Sequence, residues 1–165
     1  MASLFEKKYK LPNFKRMIKL LPDIEEGSNC LRREVGAVLW DTSKGKVVAK
    51  GTNVTPAKSP CVVAHSCMKH TMGFCPVIHA EVNCILNLLH SRQKFKPENL
   101  IMIATYSPCF ECSKMLQRNG IKIVYYLYKH HKTQWEYLKE CGIQAIKLEG
   151  EFVQLYESLV KINEK

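Results

Sequence analysis

Two short stretches constrain this chain more than any others: HAEVNC at 79–84 and SPCFEC at 107–112. Between them lies LIMIAT at 100–105, an apolar run of strand length. Chemistry that uses His79 together with Cys109 and Cys112 requires a fold that carries both stretches to one point. The flanking pattern predicts such a fold. From Ala80 to His90 the residues Val82, Ile85, Leu86 and Leu89 recur at helical spacing. Pro108 opens and Gly120 closes FECSKMLQRNG, which predicts a second helix directly after the strand. Two parallel helices, each following a strand, place their N-termini at one edge of a sheet, where α/β proteins build sites.

The rest of the chain continues the alternation. EVGAVLW and VVAKG flank DTSKGK and read as a β-hairpin. IKIVYYLY is a strand, TQWEYLKECG a helix ending on Gly142, IQAIKL a strand and 151–162 a final helix. Strands alternating with helices predict an α/β layered fold. Residues 52–78 contain Pro56, Pro60, Gly73 and Pro76 with no clear period, and a loop that long usually has a job. The 165 residues suit a single domain, 1–165. No apolar run approaches membrane-spanning length. MASLFEKKYKLPNFKRMIKLLP is basic and amphipathic without a cleavage pattern, so it reads as a surface helix of a cytoplasmic protein.

Eight Cys without an export signal point to metal ligands or core residues, not to disulfides. Cys84 and Cys141 sit in apolar patterns and read as small core residues. The formal net charge is +10, with Lys7, Lys8, Lys10, Lys15, Arg16 and Lys19 near the start and KHHK at 129–132. That balance suits either a solvated basic surface or an anionic partner, nucleotide or nucleic acid.

A catalytic zinc takes three protein ligands and keeps one place for water. His79, Cys109 and Cys112 supply three. C-x-x-C in the first turn of a helix puts both thiols on one face, where the helix dipole favours thiolates. Glu81, two residues from His79, is placed to take a proton without ligating the metal. H-x-E followed by P-C-x-x-C is the signature of zinc-dependent nucleobase deaminases, and HAE with PCFEC fits it at every position.

On these motifs the chain, from about 28 to 148, resembles the cytidine and deoxycytidylate (dCMP) deaminase superfamily, with dCMP deaminases of the phage and viral type the nearest likeness. SNCLRREVGAVL, GTNVTP, HAEVNCIL and SPCFECSKMLQRNGIKIVYY carry that resemblance. His79 as first ligand, Ser107 before Pro108 and the long insert after Asn53 distinguish it from cytidine and tRNA adenosine deaminases. The resemblance implies a three-layer α/β/α fold with a mixed five-stranded sheet, over a core of 28–148 flanked by the basic N-terminal helix and helix 151–162. It implies Glu81 as the proton carrier and Asn53, Ala80, Ser107 and a tyrosine of the fourth strand as substrate contacts. Tyr125, Tyr126 and Tyr128 compete for the last role, with Tyr128 favoured. Arg32, Arg33 and Lys58 are candidates for a phosphate. Val54 stands where the family has its second Gly, a position that helps form the site for regulation by dCTP and dTTP, and adds a side chain there.

Some phage-type members hold a second, structural zinc in the long loop. Cys30, Cys61, His70 and Cys75 are the expected ligands here, with His65 and Cys67 as substitutes. The implied activity is deamination of dCMP to dUMP with release of ammonia, by a homo-oligomer, often a hexamer in the family, without membrane or nucleic-acid partners. Action on dCTP or a modified cytosine, nucleic-acid editing and a catalytically silent zinc scaffold are the rival readings.

Overall fold

Successive side chains of the central strands point to opposite faces, both of them covered, and so divide the core in two. The computed structural model describes residues 12–56, 61, 67 and 75–163. Strands β1 (Gly36–Asp41), β2 (Lys46–Thr52), β3 (Leu100–Tyr106), β4 (Ile123–Tyr128) and β5 (Gln144–Lys147) form one sheet in the order β2-β1-β3-β4-β5. β1 runs antiparallel to β2 and β3, whereas β3, β4 and β5 are parallel, so the sheet is mixed. Helices α1 (Phe14–Glu25), α2 (Ala80–His90), α3 (Phe110–Arg118), α4 (Trp135–Glu140) and α5 (Glu151–Asn163) cover its faces. Ala37, Leu39, Met102 and Ala104 pack with Cys84, Ile85 and Leu116 from α2 and α3. Val38, Trp40, Ile101 and Ile103 point the other way, onto Met17, Ile18 and Leu21 of α1 and Tyr156 of α5. This is the three-layer α/β/α arrangement. Among the described residues no helix is long and apolar enough to cross a membrane.

The hairpin turn is set by Asp41, whose Oδ1 accepts from Ser43 N, Ser43 Oγ and Lys44 N at 2.9, 2.6 and 3.1 Å. Gly45, at φ 64°, takes the left-handed conformation that closes the turn. The long loop after β2 is pinched at its neck, where Val54 and Ile78 exchange backbone hydrogen bonds of 3.0 and 2.7 Å. Most of that loop, including Lys58, His65 and His70, lies outside the described residues.

Helix α1 is amphipathic, with one face docked on the sheet. Met17, Ile18 and Leu21 have no exposure at all, while Lys15 and Arg16 stay at the surface. Apolar residues at i, i+3, i+4 and i+7 make a stripe that docks on the sheet. The helix ends on Glu25, a buried carboxylate. Its Oε1 accepts from Gly36 N at 3.1 Å and from the Thr105 hydroxyl, and its Oε2 accepts from Tyr156 OH at 2.6 Å. One side chain thus joins α1, β1, β3 and α5.

Burial raises the Glu25 pKa above the ordinary carboxylate value, against the opposing effect of those donors. Between the unfolded and folded values the native state therefore holds more protons than the unfolded one, and stability falls as pH rises through that window. Glu25→Gln removes this titration. The stability difference between Glu25→Gln and wild type is expected to shift in favour of the variant as pH rises through the window, and to level off above it. Urea midpoints of both proteins across that range check this; a pH-independent difference would show that Glu25 titrates alike folded and unfolded.

Candidate active site

Both ligand-bearing helices begin at one edge of the sheet. His79 is the N-cap of α2 (φ −66°, ψ 153°) and Cys109 the N-cap of α3 (φ −76°, ψ 174°), both extended. Cys112 falls at the third helical position of α3, from which a side chain reaches back to the N-cap. Glu81 is at the second position of α2. Because His79 is not yet helical, a residue two further on can still face the same cavity.

His79 Nδ1 lies 3.3 Å from Cys109 Sγ and 3.3 Å from Cys112 Sγ, and the sulfurs are 3.6 Å apart. A tetrahedral zinc, with bonds of about 2.3 Å to sulfur and about 2.05 Å to nitrogen, sets sulfurs about 3.8 Å apart and sulfur from nitrogen about 3.6 Å apart. The triangle matches one face of that tetrahedron to within about 0.3 Å. Among the described residues, this is the one group of three or more His, Cys, Asp or Glu side chains whose ligand atoms converge. The donor set fits zinc.

The electrostatics agree. Hydrogen bonding with Cys112, reinforced by His79, holds the Cys109 thiol down at about 3 against the opposing effect of burial. The same shared proton, together with burial, raises Cys112. The pair keeps one proton between them, which a divalent cation displaces. His79 is raised by its hydrogen bond to Cys109. Glu81 is buried beside them, and desolvation lifts it to about 7.

His79, Glu81 and Cys109 line a cleft of about 240 Å³, while Cys112 is fully buried. Asn53, Ala80 and Ser107 also line it, but Tyr128 does not. The Tyr128 hydroxyl donates to Glu157 at 3.0 Å, and its ring packs against Tyr156. Tyr125 packs on Phe14 and Tyr126 on Trp135. Among the described residues the tyrosine that lines the cleft is Tyr106, the last residue of β3, and His130, in the loop after β4, lines it too. Sequence reasoning missed both. The available signal was position: Tyr106 and KHHK end adjacent parallel strands, so both reach the same edge as Cys109.

Asn53 is buried, with most of its amide engaged. Oδ1 accepts from Val35 N at 2.8 Å and Ser28 Oγ at 2.9 Å, and Nδ2 donates to the Arg33 carbonyl at 2.7 Å. One Nδ2 hydrogen remains. Ser107 Oγ accepts from His130 N at 2.8 Å and lies 2.8 Å from Thr133 Oγ1, so its hydroxyl holds the 129–133 loop. Arg32 and Arg33 line the cleft mouth.

The residues expected to hold a second metal do not assemble among those described. Cys30 and Cys75 line the cleft mouth and Cys61 is buried, but the three form no converging group, and His70 is outside the described residues.

Fold and site together define a class, the zinc-binding α/β/α domain of the nucleobase-deaminase type. The chain belongs to the cytidine and deoxycytidylate deaminase family, whose zinc-binding region matches residues 13–128. It is 34% identical over 108 residues to the deoxycytidylate deaminase of Schizosaccharomyces pombe, covering 60% of this chain and 32% of that protein. It is 35% identical over 74 residues to that of Enterobacteria phage T4, covering 43% and 37%. The chain thus spans about a third of the length of these curated relatives. The chain is also similar to the dCMP deaminase of cyanophage S-TIM5 in complex with dCMP and dUMP, at 28% identity and a TM-score of 0.66, covering 81% of this chain and 95% of that one.

Proposed function

We propose that this chain hydrolyses dCMP to dUMP and ammonia. The observation that carries the reading is a tetrahedral His79–Cys109–Cys112 face beside a buried Glu81, at the floor of a small cleft with a cationic mouth. His79, Cys109 and Cys112 would hold zinc, which would lower the pKa of a bound water from about 16 to roughly 7. Glu81 accepts a proton, delivers it to the ring nitrogen adjacent to the reacting carbon of cytosine, and passes a second to the leaving ammonia. Its burial suits that work, because a carboxyl poised near neutrality both takes and gives protons.

The cleft is smaller than the roughly 300–1,000 Å³ common for ligand pockets, so it suits a pyrimidine base with the rest of the nucleotide along the mouth. The remaining Asn53 hydrogen is available to a sugar hydroxyl. The likeness to the S-TIM5 enzyme, crystallised with dCMP and dUMP, supports the choice of substrate.

The test offers purified protein deoxycytidine, dCMP, dCTP, CMP and a cytosine oligonucleotide and follows loss of the cytosine chromophore. The kcat/KM for dCMP is expected to exceed that for deoxycytidine by on the order of 10², since each charge-assisted phosphate contact contributes about 1.5–3 kcal/mol. Equal values for nucleoside and monophosphate, or preference for the oligonucleotide, would overturn the proposal.

A further inference from the structure

Glu25 is buried and does not line the cleft, yet its contacts end beside residues that do. Its Oε1 accepts from Gly36 N and from the Thr105 hydroxyl, and Gly36 N also reaches Thr105 Oγ1 at 3.1 Å. Gly36 follows Val35, and Thr105 precedes Tyr106; Val35 and Tyr106 both line the cleft. One carboxylate oxygen therefore ties the start of β1 to the end of β3, at the edge of the sheet where the cleft opens. Gly36 lets the helix end come this close, since a Cβ there would stand 3.2 Å from the Leu21 carbonyl oxygen and 3.2 Å from Glu25 Cγ.

The backbone of the same residue reaches the cleft by a second route. The Glu25 carbonyl accepts from Ser28 N at 2.8 Å, and Ser28 Oγ lies 2.8 Å from Asn53 O and 2.9 Å from Asn53 Oδ1. Asn53 Oδ1 accepts from Val35 N at 2.8 Å, and Val35 O accepts from Asn53 N at 3.2 Å. Val35 and Asn53 are thus locked as a pair, with the end of α1 behind them. The remaining partner of the carboxylate leads elsewhere. The Tyr156 hydroxyl donates to Oε2 from α5, and that bond reaches neither β1 nor β3.

We propose that Glu25 is a positioning residue for the nucleotide: it holds Val35, Asn53 and Tyr106 from behind and so sets the wall against which the nucleoside lies. This rests on the nucleotide-deaminase reading above. The metal triangle and Glu81 sit at the starts of α2 and α3, outside this network. A loosened wall weakens binding of the substrate and of its transition state alike, which raises KM and leaves kcat.

The experiment measures kcat and KM for dCMP, zinc content and urea midpoint in wild type, Glu25→Leu, Glu25→Gln, Thr105→Val and Tyr156→Phe, all at one pH. KM is the readout, because it is independent of the fraction of protein folded. Glu25→Leu and Thr105→Val are expected to raise KM by about 3–10-fold, the range of one hydrogen bond, with kcat and zinc kept. Glu25→Gln, which keeps an acceptor oxygen for Gly36 N and Thr105, is expected to restore most of the wild-type KM. Tyr156→Phe removes a buried bond to the same carboxylate, so it is expected to lower the urea midpoint much as Thr105→Val does while KM stays. KM unchanged in Thr105→Val, or raised as much in Tyr156→Phe, would overturn the assignment and leave Glu25 a part of the scaffold only. Loss of zinc and kcat together in Thr105→Val would overturn it too, since the network would then support the metal site. Thr105→Val decides the question even where Glu25→Leu fails to fold. Wild type that does not turn over dCMP would instead defeat the underlying reading, so the two failures are distinguishable.

Discussion

Glu81→Gln is expected to lower turnover of dCMP by about 10⁴-fold or more while leaving zinc content and fold in place. The amide keeps the size of the carboxyl and can still hydrogen-bond a water at the floor of the cleft. It cannot accept a proton and hand it on. General acid–base groups contribute about 10²–10⁴ in rate each, and here one carboxylate serves successive transfers. Zinc is expected to stay because the converging atoms belong to His79, Cys109 and Cys112 and none of them changes. Affinity for dCMP is expected to hold as well, since the proposed function puts the sugar and phosphate along the mouth, away from Glu81. Steady-state turnover, elemental analysis and dCMP binding are measured on the same preparation. Loss of zinc together with activity would assign Glu81 a structural role in the metal site. Turnover within about tenfold of wild type would mean that another group moves the protons.

The sequence made the layers legible because burial writes itself into the strands. LIMIAT and EVGAVLW are apolar at nearly every position, as strands covered on both faces must be. The convergence of His79, Cys109 and Cys112 was legible for a related reason: N-cap positions of neighbouring helices share an edge, and the motif spacing marks those caps. The contents of the cleft wall were not. Tyr106, Tyr125, Tyr126 and Tyr128 are alike as residues; which one lines the cavity depends on strand register and on where β4 leaves the sheet. Tyr128 pairs with Tyr106 across the parallel strands, yet it turns to Glu157 and Tyr156 of α5, whose docking no local pattern records. Glu25 was silent for the same reason, since its partners Thr105 and Tyr156 are 80 and 131 residues away. His130 was visible as charge but not as part of the cleft lining, because that depends on backbone hydrogen bonds to Ser107 and from Lys132. Cys30 and the cysteines of the long loop illustrate the opposite case. Their density suggests a metal, but density alone does not bring Cys30, Cys61 and Cys75 to one point.

Gly51→Ala is expected to damage the site from outside it. Gly51 lies in β2 directly beneath the first turns of α2. A Cβ there would stand 2.3 Å from Cys84 N, 2.6 Å from Ala80 O and 2.6 Å from Cys84 Cα, all of them backbone atoms of that helix. No side chain can rotate away to make room, so the helix must lift off the sheet. The neighbours that resist are Cys84, Ile85 and Leu88, packed into the core with almost no exposure. Overpacking of this kind costs about 1–3 kcal/mol and occasionally more, which in a domain of this size lowers Tm by roughly 2–12 °C. The same shift carries His79, Ala80 and Glu81 away from Cys109 and Cys112, because they open the helix that moves. A displacement of about 1 Å at reacting groups can cost about 10² in rate. Gly51→Ala is therefore expected to show a lower Tm, weaker zinc retention against a chelator and turnover reduced by about 10²-fold, although Gly51 is not part of the cleft lining. Thermal melts, chelator titrations and dCMP turnover measure the three effects. Unchanged zinc retention and turnover alongside a lowered Tm would mean that the strand yields instead of the helix, and that the position of α2 is fixed by its contacts around the metal triangle more than by its packing on β2.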